Sequence, residues 1–156
     1  MKRIGMLLLL MTLVLSCGTT KQIKTSKKIL KGAWSLNTLT YSDFGTFRIT
    51  FFDDATKDCL EGSQWQFVPN NNSGTYTIEK DGCIDGGRNF IFTVQEVDPD
   101  SQYYDFLLKP VDAKKKSVDN KGYRLHLDYL SDSEMRWSQQ ASIDNTSISI
   151  QFNFTK

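Results

Sequence analysis

Beyond its first fifteen residues this 156-residue chain has no apolar run long enough to cross a bilayer, and it holds one histidine, three cysteines and three prolines. Each scarcity excludes something. With His126 the only imidazole, a charge-relay hydrolase would need a nucleophile and an orienting acid around it, and no Gly-x-Ser-x-Gly or comparable motif occurs. The alternation places His126 on the exposed side of a strand. No Cys-x-x-Cys is present, so a thiol-rich metal site lacks its ligands. Asp53-Asp54 and Asp98-Pro99-Asp100 lack the spacing of a calcium loop and read as turns. Asp85-Gly86-Gly87-Arg88 is not followed by a helical pattern, so it is a turn and not a phosphate cradle. There is no repeat of solenoid length, and no convincing amphipathic helix after the N-terminal segment. An enzyme and a resident cofactor or metal are not expected.

What is present begins at the N-terminus. Met1-Lys2-Arg3 is a short basic start, and Ile4 to Leu15 is an apolar stretch of about twelve residues, the pattern of an export signal. It ends in Val14-Leu15-Ser16-Cys17, which resembles the lipobox of bacterial lipoproteins, with Leu15 bulkier than the usual residue there. The resemblance implies cleavage after Ser16 and acylation of Cys17; an ordinary export signal cut nearby is the alternative. Residues 1–16 are thus read as signal, 17–29 as lipidated cysteine and flexible basic linker, and 30–156 as one domain. Cys17 is not followed by Asp or by a run of acids. By resemblance, that places the domain on the outer membrane facing the periplasm.

Charge is divided along the chain. Lys21, Lys24, Lys27, Lys28 and Lys31 lie between Cys17 and Ser42 without one acid, whereas from Asp43 onward 12 basic residues face 18 acidic ones. The basic stretch suits an anionic bilayer or serves as a solvated spacer, and the acidic remainder argues against a nucleic-acid partner. Cys59 and Cys83 remain as an even pair in an exported, oxidising setting, which predicts a disulfide.

From Trp34 onward apolar residues recur with period two, the mark of half-buried strands. Trp34, Leu36 and Thr38 open the pattern; Phe47, Ile49 and Phe51 form a second run with Phe52 on the opposite face. Trp65 and Phe67 are followed by the Asn70-Asn71-Asn72-Ser73-Gly74 turn, and further runs are centred on Tyr76, Phe92, Phe106, Leu125 and Trp137. Ile148, Ile150, Phe152 and Phe154 alternate almost to the last residue. Eight to nine short strands without helices predict an all-β, antiparallel up-and-down barrel. A last strand so strongly patterned needs a partner, and pairing it with the first closes the sheet.

Leu30-Lys31-Gly32-Ala33-Trp34, the Cys59 segment running into Gln64-Trp65-Gln66-Phe67, and the late Tyr123-Arg124-Leu125 and Met135-Arg136-Trp137 strands together resemble the lipocalin-like lipoproteins of Bacteroidota-type bacteria, over about residues 29–155. The resemblance implies that Gly32 and Trp34 close one end of the barrel, with Arg136 or Arg124 stacked on the indole. A long lid loop after the first strand and a C-terminal helix are not evident, which leaves a deep pocket without support.

A barrel of this size is filled by side chains or holds one small ligand. The candidate ligand-contacting set is Phe47, Trp65, Phe67, Phe90, Phe92, Phe106, Tyr123, Trp137 and Phe152, against the plainer reading that these rings fill the interior. Two functions remain: a monomeric, membrane-anchored carrier of a small apolar or amphipathic molecule, and a filled barrel whose loops grip a protein partner, as in small periplasmic lysozyme inhibitors.

Overall fold

The computed structural model of the chain describes residues 21–42, 48–98, 103–117, 119–143 and 146–156. The elements in order are α1 (Lys21–Leu30), β1 (Gly32–Tyr41), β2 (Thr50–Phe51), β3 (Ala55–Thr56), α2 (Lys57–Leu60), β4 (Gln64–Val68), β5 (Ser73–Ile78), β6 (Gly86–Asp98), β7 (Tyr103–Val111), β8 (Tyr123–Leu130), β9 (Glu134–Ile143) and β10 (Thr146–Thr155). Eight strands close into an antiparallel barrel in the order β1-β4-β5-β6-β7-β8-β9-β10, and β10 returns to β1. The closing seam pairs Leu36 with Phe154 and Leu39 with Phe152, with a register shift between Leu36 and Thr38. Ile148, Ile150, Phe152 and Phe154 are all buried, so the terminal alternation does set one face inward.

The second alternating run is not a barrel strand. Thr50 pairs with Thr56 and Phe51 with Ala55 in a separate two-stranded hairpin. The reason is the turn: Phe52 and Asp53 take φ of 56° and 53°, and the Asp54 amide donates to the Phe51 carbonyl at 2.9 Å. This reversal breaks the period of two, so Phe51 and Phe52 are both buried instead of facing opposite ways. Left-handed backbone at two non-glycine residues costs about 1–2 kcal/mol each, and the contacts of the Phe52 ring offset it. The long connection between the first two barrel strands is therefore present, spanning 42–63, where none was expected. Phe47 and Cys17 lie outside the described residues.

The second correction concerns 17–29. Residues from Lys21 onward form α1 and not a flexible spacer. Ile23, Lys27 and Leu30 recur at helical spacing; Leu30 is fully buried, and Ile23 packs on the core. The lysines hide this stripe in the sequence. The Trp34 indole Nε1 donates to the Leu30 carbonyl at 2.8 Å, and Lys27 Nζ donates to Asn72 Oδ1 at 2.8 Å. At Gly32, φ is 116°, the turn from helix into strand. The helix thus closes the end of the barrel where β1 begins, called the proximal end. The hairpin closes the distal end.

Candidate functional site

The interior is occupied by the protein's own rings. Trp137 sits 5.1 Å from Phe106, 5.7 Å from Phe67, 5.8 Å from Trp65 and 6.5 Å from Phe152, centroid to centroid. Phe90 lies 5.5 Å from Phe67, and Phe92 lies 5.6 Å from Phe106. All seven of these candidate residues are at most 2% exposed. The packing is tight enough that a methyl group at Gly74 would lie 2.4 Å from the Phe90 ring and 2.5 Å from the Gln66 carbonyl. They are core residues; among the described residues Phe90, Phe92 and Tyr123 of the candidate set also border grooves on the outer wall. One polar atom is stranded inside: buried Trp137 Nε1 has no hydrogen-bond partner among the described residues.

At the distal end, Phe52 lies among Tyr123, Trp65, Tyr76 and Phe152 at 5.2–6.2 Å. Polar contacts fasten the hairpin to the rim. Asp54 Oδ2 accepts from the Tyr76 hydroxyl at 2.8 Å and from Arg88 Nε at 2.9 Å. Burial and the adjacent Asp54 push the Tyr76 phenol well above its usual range. Asp53 is paired with Lys121. Hydrogen bonds from Lys121 and Tyr123 hold its carboxyl below the usual range, while burial first and Asp53 second push the Tyr123 phenol up to about 12. Just beyond, α2 carries Cys59, whose disulfide to Cys83 ties it to the β5–β6 connection with Cα atoms 5.7 Å apart. The predicted bridge is therefore formed.

At the proximal end, Trp34 is 1% exposed, and the cation over its ring is Lys156 Nζ, 4.9 Å from the centroid. Arg136 instead lies 5.7 Å over Tyr129, and Arg124 pairs with Asp105. Lys156 takes the place expected for an arginine, its Nζ also donating to the Ile29 carbonyl at 2.8 Å.

Open space lies on the outer wall. A groove of about 610 Å³ crosses β6, β7 and β8, lined by Ile91, Thr93, Leu107, Lys109 and Arg124 and bounded on one side by Asn71 and Asn72. Alternation puts these side chains on the face opposite buried Phe92, Leu108 and Leu125. Its floor is mostly apolar. Lys109 lines the groove and donates to the neutral Asn120, and Lys27, outside the lining, donates to Asn72 at its edge. Neither is in an ion pair among the described residues.

Arg124 also borders a second groove of about 320 Å³ over β7, β8 and β9, with Asp105, His126 and Ser138. Those three are direct cross-strand partners, Asp105 with His126 and His126 with Ser138. His126 Nδ1 is 3.0 Å from Asp105 Oδ1, and Arg124 pairs with the other oxygen. Burial pushes the Asp105 carboxyl up, but the hydrogen bonds from His126 and Arg124 outweigh it and leave it below the usual range. The row has the order of a charge relay, yet the Ser138 hydroxyl donates its proton to Asp128 Oδ1 at 3.0 Å. Sequence reasoning missed Asp105, whose place beside His126 depends on strand register. Among the described residues no cluster of three or more His, Cys, Asp or Glu is arranged to hold a metal, and no helix is long and apolar enough to cross a membrane.

No protein-family model matches the chain, and no curated protein matches its sequence. A lipocalin-like protein from Bacteroides uniformis is similar in its crystal structure, at 13% identity and a TM-score of 0.47, over 82% of this chain and 98% of that one.

Proposed function

We propose that this barrel is a non-enzymatic binding protein of the cell envelope, held by an acylated Cys17 on the outer membrane and facing the periplasm. In this reading it binds a small amphipathic molecule with an anionic head in the groove over β6, β7 and β8. The groove carries the proposal: about 610 Å³ is within the size of small-molecule sites, its floor is mostly apolar, Lys109 lines it with a neutral hydrogen-bond partner, and Lys27 is bonded to Asn72 at its edge. The filled interior moves the expected ligand from inside the barrel to its wall.

A displaceable fluorescent fatty acid is the probe. The intact protein is expected to bind it, and Leu107→Asp, an outward position on β7, is expected to weaken binding at least tenfold with melting unchanged. Probe binding indifferent to Leu107→Asp overturns the site, and no binding at all overturns the ligand class. The second reading, a protein-gripping module, is favoured by the packed interior together with the disulfide-stapled distal rim. Exchange of the loop 112–122 would then abolish capture of a partner and leave probe binding intact.

A further inference from the structure

The five lysines before Ser42 acquire a direction once α1 is seen docked on the barrel. Lys24 and Lys28 are exposed and one helical turn apart, and Lys31 is exposed just after the helix. The opposite face, with Ile23 and Leu30, is committed to the core. Lys27 is held by Asn72, the helix end by the Trp34 indole on the Leu30 carbonyl, and the Ile29 carbonyl by Lys156. The helix is therefore a fixed part of the proximal end. Between Cys17 and Lys21 there are only three residues. At about 3.5 Å per residue, the anchor sulfur's residue is at most about 14 Å along the chain from the start of the helix.

We propose that the exposed lysine face of α1 is a docking surface for anionic lipid headgroups, and that it fixes the barrel with its proximal end on the bilayer and its hairpin-closed distal end away from it. The inference rests on the acylated Cys17 of the proposed function and adds orientation to it. The occupant is a bilayer because the charge is spread over a flat helix face, has no acid interspersed, and begins within reach of an acyl chain. The β8–β9 turn at the same end carries exposed Asp132 and Glu134, so the contact is the helix face and not the whole end. A consequence joins the two sites: Asn72, which holds Lys27, also lines the wall groove, so the groove opens beside the membrane surface.

The test uses the full-length acylated protein in vesicles of phosphatidylcholine with 30% phosphatidylglycerol, and in phosphatidylcholine alone. Spin labels are placed by Thr25→Cys on α1 or by Ala113→Cys on the β7–β8 loop, and a nickel-chelating lipid reports contact with the bilayer surface. The α1 label is expected to relax strongly on the anionic vesicles and the loop label weakly. Lys24→Glu with Lys28→Glu is expected to cut the α1 contact about fivefold or more per lysine while the protein stays on the vesicle. Equal contact at both labels, or contact indifferent to the charge reversal, overturns the orientation. The mass of the membrane-extracted protein reads the anchor separately: a mass without acyl chains overturns the anchor, and the proposal with it.

Discussion

The two ends of this barrel are closed by opposite means. At the proximal end a helix is seated by the buried side chain of Leu30, an indole hydrogen bond, and lysines bonded to neutral oxygens. At the distal end a short hairpin with two left-handed residues is held by carboxylate pairs and a disulfide. The difference follows from what each segment can bury. Ten residues of helix present a stripe to the core, whereas a hairpin of seven offers two phenylalanines and a strained turn, so electrostatic and covalent ties make up the rest. One closure depends on apolar packing, the other on protonation state and redox state.

The largest perturbation should separate them. Trp34→Ala removes a fully buried ring and the donor to Leu30, and is expected to cost about 3–5 kcal/mol in urea unfolding. In native-state hydrogen exchange its amides in α1 should open before those of the hairpin. Equal loosening at both ends would mean that the closures are one cooperative unit. Replacing Cys59 and Cys83 with serine should cost up to about 3.5 kcal/mol on the chain-entropy account for a separation of 24 residues. Here the loosening should appear in 48–63 and leave α1 protected; loss of α1 protection would break the comparison.

The smallest effect is acid. Asp53 has its folded pKa lowered by Lys121 and Tyr123, so its contribution is present above the unfolded value near 4 and is lost as pH falls through the folded one. The distal hairpin is therefore expected to exchange faster below about pH 4, while the proximal contacts through Asn72 and the Ile29 carbonyl do not change there. Asp53→Asn should remove part of that acid response. An acid response confined to α1 would reverse the assignment.

The strands were legible because alternation is a local property, and β10 carries it through nearly every residue. The place of Trp34 was legible for the same reason, but its cation was not: Lys156 reaches the ring only because the last strand pairs with the first. The helix went unread because its apolar stripe is little more than Ile23 and Leu30 among lysines. The hairpin went unread because Phe47, Ile49 and Phe51 imitate a strand, and no glycine or asparagine marks the left-handed turn at Phe52-Asp53. Asp105 and His126 are 21 residues apart and meet only through the β7–β8 register. The outer groove is likewise a product of register, since Ile91, Leu107 and Arg124 come from three strands.

The seam between β1 and β10 also sets a timetable. Leu36 pairs with Phe154, so the sheet cannot become a cylinder until β10 is available. Apart from the long connection across 42–63, the strands between them meet their neighbours through shorter connections of lower closure entropy. A chain threaded in extended form from its N-terminus therefore stays open-edged until β10 has arrived. Deleting β10 would leave an incomplete cylinder with β1 and β9 as exposed edges, ready to pair with another copy.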